Sequence, residues 1–308
     1  MKIVIALALL AVGGFPTLSA FHANSRDDEN SRGGSAVASQ STPSLNHVYI
    51  VLDQSTFDAI RDSRTLARLF GRADAGLPDY ALPPPEADRI FFRGRRTYLE
   101  LFAPNNRFEE PVGKVGLALG HDHAKDFEEL ATKWKDACGS RFRRTSIEYR
   151  RQQPPVPWYE AIQCDDTASG PHLAVWSMVY RPEFHEWQSG GIGSSSQRIA
   201  RAEILAPRRA DGQGRFDITG LSLKVSATTY PNLSRQLEQA GMVRDGDQFL
   251  GDGWKIKLEV DETPRFVEIN FDTDASRVRG ERLGNAVLTR ASNRAARLTV
   301  RARGRPGQ

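Results

Sequence analysis

Three times along this chain an extended apolar run gives way to an amphipathic helix, and each helix is followed by closely spaced strands rather than by another helix. No other feature restricts the fold as much. Strands joined by short turns pair antiparallel, whereas a helix after every strand would build a parallel sheet. The first pass opens with LNHVYIVL (Leu45–Leu52) and continues in a helix carrying Phe57, Ile60, Leu66, Leu69 and Phe70. A proline-rich loop then leads into RIFFRGRRTYLELFAP, two strands about an Arg-Gly-Arg turn. The second runs from KVGLALGHDHAKDFEELATKW through SIEYRRQ, WYEAIQC and HLAVWSMVYRP. The third begins at DITGLSLKVSATTYPNLSRQLEQAGM and continues through DQFLGDGWKIKLEV and RFVEINFD. Three imperfect repeats of an α+β unit with largely antiparallel sheets account for the pattern.

The ends read differently from the middle. Met1-Lys2, the apolar run Ile3 to Val12 and small residues up to Ala23 have the layout of a secretory signal peptide, and the run is too short to span a bilayer. Residues 24–44 are polar, small and charged and read as a disordered linker. The expected divisions are then paired modules over 45–187, a linker over 188–215, a third module over 216–274, and a basic hairpin and tail over 275–308. An extracytoplasmic address, periplasmic or secreted, follows from the leader, with no transmembrane segment after its cleavage. In such a compartment Cys138 and Cys164 could close a disulfide or stand as two buried thiols.

The net charge of +4 is concentrated at one end: residues 275–308 hold nine arginines against a single acid, Glu281, and the remaining chain is mildly acidic. No basic domain face is implied, which argues against nucleic acid as a partner. The glycine-serine stretch Gln188–Gln197 has neither the preceding strand nor the following lysine of a phosphate-binding loop. No G-x-S-x-G elbow appears, and neither cysteine sits in a nucleophile motif.

One carboxylate stands out. In TYLELFAP, Glu100 shares a strand face with Tyr98 and Phe102, while Leu99 and Leu101 share the other. In the opening strand the same alternation puts His47 on a face with Leu45 and Tyr49.

LNHVYIVLD opening the first unit, TYLELFAP closing it and GKVGLALG opening the next resemble the glyoxalase-like, vicinal oxygen chelate superfamily over about residues 45–300. The resemblance implies βαβββ modules whose curved sheets surround a cleft. It also implies a metal-binding His from a module's first strand and a Glu from its last, here His47 and Glu100. His121 and His123 of GHDH are the nearest further ligands, and one divalent metal ion is the cofactor such a set would hold. The second module offers Lys114 or Gly116 in place of the His and Met178 or Val179 in place of the Glu, so the four-ligand pattern is incomplete. His172 and His185 read as surface or packed residues. Three functions follow. The first is a small-molecule binding protein whose cleft is lined by Tyr49, Tyr98 and Phe102 around His47 and Glu100. The second is a metal-dependent lyase, isomerase or dioxygenase using His47 and Glu100, and the third a cell-envelope scaffold without cleft chemistry.

Overall fold

An eight-residue run with every side chain buried, Ser44–Val51, forms β1, as befits a strand covered on both faces. In this computed structural model the described residues are 42–301, less 78–79, 166–171, 192–197 and 207–213. The expected signal peptide, nearly all of the 24–44 linker, much of the glycine-serine stretch and the last residues of the arginine-rich tail lie outside them.

After β1 come α1 (Gln54–Arg61), α2 (Arg64–Phe70), β2 (Arg89–Arg93) and β3 (Tyr98–Phe102). The second unit supplies β4 (Val115–His121), α3 (Ala124–Cys138), β5 (Phe142–Tyr149), β6 (Val156–Cys164) and β7 (Leu173–Tyr180). All seven strands form one sheet in the order β2-β3-β1-β4-β7-β6-β5. In each unit the first strand lies parallel to the last, because the crossing helix returns the chain to its starting end. The two units meet where β1 and β4 pair antiparallel. The second is a full βαβββ module, and the first lacks one strand.

Helix α3 shows why the pattern was readable. Phe127, Leu130, Ala131 and Trp134, at helical spacing, are its buried stripe. Its last residue, Cys138, forms a disulfide with Cys164 at the end of β6, the Cα atoms 5.9 Å apart. Closing a loop of that length stabilises by about 3 kcal/mol on the chain-entropy account. A Cys138→Ser, Cys164→Ser variant is therefore expected to unfold at lower urea by about that free energy; an unchanged midpoint would show the bridge does not form.

Beyond β7, α4 (Pro182–Gln188) and α5 (Arg201–Leu205) lead to a second sheet. Its strands are β8 (Asp217–Val225), which α6 (Thr229–Gln239) follows, then β9 (Val243–Asp245), β10 (Gln248–Gly251), β11 (Trp254–Val260), β12 (Arg265–Asp272), β13 (Glu281–Leu283), β14 (Ala286–Ser292) and β15 (Ala295–Val300). The order is β13-β14-β15-β12-β8-β11-β10-β9. The protein is thus α+β, with two mixed sheets and no closed barrel among the described residues.

The second sheet departs from the expected divisions. β12, expected to close the third module, pairs with β15 and opens a fourth unit, β12-β15-β14-β13. The expected C-terminal hairpin, β14 with β15, is half of that unit rather than an appendage. No helix lies between β12 and β13, so the chain reverses once fewer and β12 runs antiparallel to β15. Without a helix the repeat has no 3.6-residue signature to read. Residues 188–215, expected as linker, contain α5, whose Arg201 is buried and donates to Asp122 and to the Leu45 carbonyl.

The inner faces of both sheets share one core with the helices. Phe70 of α2 packs its ring 4.4 Å from Phe216 and 4.6 Å from Phe271, joining the two sheets. Asp217 fastens them further, accepting from Arg95 and from the backbone N–H groups of Arg96 and Thr97. On its other face the second sheet turns charged residues such as Lys255, Lys257 and Glu259 to solvent. Among the described residues no helix is long and apolar enough to cross a membrane.

Candidate functional site: an aromatic cavity on the seven-stranded sheet

The outer face of the first sheet is largely aromatic, and a cavity of about 300 Å³ opens on it. Strand alternation builds the wall. In β3, Leu99 and Leu101 enter the shared core, while Tyr98 and Glu100 line the cavity. β2 contributes Arg89, Phe91 and Arg93, and β7 contributes Trp176, Met178 and Tyr180. In β1, His47 and Tyr49 face the cavity, but Leu45 does not share their face: it is in the core. The register slips between Leu45 and His47, and such a bulge re-aims the side chains on either side of it.

β4 backs the wall residues of β1 with small residues. Gly116 lies opposite Tyr49, and a Cβ there would stand 1.8 Å from the tyrosine ring, so only glycine admits that ring. Ala118, opposite His47, is buried in the same apolar cluster. Over the top come Phe184 of α4 and Ile204 and Leu205 of α5, with Tyr149 and Trp158 from the β5–β6 hairpin.

The polar groups are few and held in place. His47 Nδ1 donates to Asn46 Oδ1 at 2.8 Å, which leaves Nε2 as the basic atom. The imidazole stacks on Tyr98 with centroids 4.3 Å apart and meets the edge of Trp176 at 5.2 Å. Burial, helped by the Arg93 charge, lowers its pKa to about 3, so the ring is neutral at physiological pH. Asn46 also hydrogen-bonds Tyr180, whose own pKa burial pushes up to about 12. Glu100 accepts from Arg89 Nη1 at 3.3 Å. Burial raises the Glu100 pKa, and the guanidinium groups of Arg89 and Arg93 oppose that rise without cancelling it. Arg93 itself is clamped by Asp74 through two hydrogen bonds of 2.8 and 3.0 Å.

His47, Tyr49, Tyr98 and Glu100 are therefore brought together in one cavity. Phe102 lies beside it, fully buried against Tyr49 and Phe108, whose rings are 5.3 and 5.5 Å away. His121 and His123 are not brought there. Alternation along β4 turns His121 to the opposite side of the sheet, its ring 6.1 Å from Phe127, and burial lowers its pKa to about 4. His123 is exposed at the N-terminus of α3. Among the described residues no three His, Cys, Asp or Glu side chains are placed to share a metal ion. In the cavity His47 of β1 and Glu100 of β3 are donors of that kind, with the guanidinium groups of Arg89 and Arg93 beside them.

Several wall residues were not singled out from sequence. RIFFR carries Arg89, Phe91 and Arg93 on one strand face, and Phe91 pairs with Glu100, so period-2 spacing held the signal for the two arginines. Trp158, Tyr159 and Phe184 had no comparable local mark, since the fold alone brings the hairpin and α4 over the sheet.

A family model described as a family of unknown function (DUF5829) matches residues 45–299. The chain belongs to that family. The matched span takes in nearly all of both sheets and every residue of the cavity wall, and it leaves residues 1–44 outside. No curated protein matches the chain. Among solved structures, a hypothetical protein from Staphylococcus aureus is 10% identical with a TM-score of 0.49, covering 82% of this chain and 96% of that one. A triple mutant of 4-hydroxymandelate synthase from Streptomyces coelicolor is 12% identical with a TM-score of 0.35, covering 72% of this chain and 63% of that one.

Proposed function

We propose that this DUF5829 member is an exported binding protein whose aromatic cavity takes up one small organic molecule, on a glyoxalase-like (vicinal oxygen chelate) scaffold. The observation that carries this reading is the wall itself: one sheet face holds a concave, mostly apolar hollow with a few converging polar groups, while the outer face of the other sheet is charged. The scaffold assignment is supported by the first-strand-beside-last order of each unit and by the antiparallel meeting of β1 with β4. An oxidising compartment agrees with the Cys138–Cys164 bridge.

Thermal denaturation against a panel of aromatic and aliphatic metabolites tests it. At least one compound class should raise Tm by several degrees at a concentration about 100 times its Kd. That shift should vanish in Met178→Trp, where the larger ring occupies the hollow. No shift with any compound, or an equal shift in Met178→Trp, would leave the envelope-scaffold reading in its place.

A second reading, a divalent-metal-dependent lyase, isomerase or dioxygenase, draws on the shared cavity position of His47 and Glu100. It requires stoichiometric metal in protein purified without chelator, lost in a His47→Ala, Glu100→Ala variant. Metal-free protein would remove it.

A further inference from the structure

We infer that the cavity selects a flat organic anion, an aromatic or conjugated carboxylate, and that Arg89, with Tyr49, holds its acid group. The inference rests on the binding function proposed above and adds the chemical class of the ligand.

The first argument is the kind of polar atom left without a partner. Among the described wall residues, Tyr49 Oη, Arg89 Nε and Trp158 Nε1 are buried and have no hydrogen-bond partner. Arg89 Nε and Trp158 Nε1 can only donate and the Tyr49 hydroxyl can donate or accept, while no acceptor-only side-chain atom of the described wall residues is orphaned in the same way. Tyr49 is only 2% exposed, so bulk water does not serve it. Buried donors without partners call for an acceptor that the protein does not itself supply.

The second argument is charge. Arg89 stands over the Phe91 ring at 4.9 Å, and Arg93 stands over Tyr80 at 4.4 Å and Phe91 at 4.9 Å. Those ring faces are already engaged by cations, so the aromatic wall is not a cage for a cationic ligand. At the rim Arg107 pairs with Asp88 and Arg150 with Glu148, whereas Arg151 donates to the Leu77 carbonyl. The mouth thereby carries a positive charge that favours entry of an anion.

The third argument concerns Glu100, the acid nearest the proposed carboxylate. Its pKa is already raised by burial. A second carboxylate sharing the guanidinium of Arg89 raises it further, which lessens the charge repulsion between the two acids. The stacked His47 and Tyr98 rings and the Trp158–Phe184 pair, 5.4 Å apart, present flat surfaces to a planar body.

Three probes of one shape decide the matter by isothermal titration calorimetry: 2-naphthoate, the neutral 2-naphthamide and the cationic 2-naphthylmethylammonium. The acid is expected to bind about tenfold more tightly than the amide, as one charge-assisted hydrogen bond warrants, and the amine most weakly. Arg89→Met should bring the acid down to the affinity of the amide, and Tyr49→Phe should weaken it severalfold. If Arg89→Met fails to fold by circular dichroism, the wild-type order and Tyr49→Phe carry the decision. An amide or amine that binds as tightly as the acid, with binding lost in Met178→Trp, would overturn the anion assignment and leave the cavity function standing. No binding by any probe would overturn the assignment of a flat organic anion, and binding unchanged in Met178→Trp would overturn both.

Discussion

Gly116→Ala is expected to destabilise the protein by about 3 kcal/mol or more, an effect usually reserved for gross core damage. A methyl group on β4 would overlap the Tyr49 ring. Phe102 stands 5.3 Å from it on one strand and Trp176 stands 5.9 Å from it on another, and the tyrosine is almost wholly buried. The clash also falls on the pairing of β1 with β4, the seam on which the whole first sheet is built. Urea denaturation followed by tryptophan fluorescence measures the loss. Tyr49→Ser in the same chain should return more than half of it by vacating the space. A Gly116→Ala protein as stable as wild type would mean that the Tyr49 ring does not lie across Gly116.

Acidification from pH 7 to pH 4 is expected to remove about 3 kcal/mol of stability through His47 alone. Burial holds its folded pKa near 3, below the unfolded value of 6.5, so the unfolded chain binds the extra proton first. Stability from this residue is therefore complete above about pH 6.5, falls as pH drops through that value, and is wholly lost below about pH 3. His121, with a folded pKa near 4, adds a loss of the same sign over a narrower window. Chemical denaturation at pH 7, 5.5 and 4 should show a shallower decline in His47→Gln than in wild type, and a shallower one still with His121→Gln added. Parallel declines in all three proteins would show that neither imidazole is buried neutral.

The cavity was partly legible in one strand. In TYLELFAP alternation alone separates Leu99 and Leu101 from Tyr98 and Glu100, and the folded strand keeps that division. The same reasoning half failed in β1, where His47 and Tyr49 were placed together correctly but Leu45 was not, because one slipped residue at Asn46 reverses the alternation. That slip also puts the Asn46 amide beside His47, where it sets which ring nitrogen carries the proton. His121 was close enough in sequence to attract a ligand role, yet parity along β4 sends it to the core side. The fourth unit went unread because a module without a helix has no helical period.

By itself the sequence determined the α+β class, the recurring units and the two faces of each regular strand, since these follow from periodicities two to four residues long. Only the tertiary structure decided that one sheet face would become an aromatic hollow while its counterpart on the other sheet stayed charged and wet. That choice depends on strand order, on a bulge, and on α4, α5 and a hairpin folding over one side. These contacts join residues far apart in the chain, and local patterning carries no record of them.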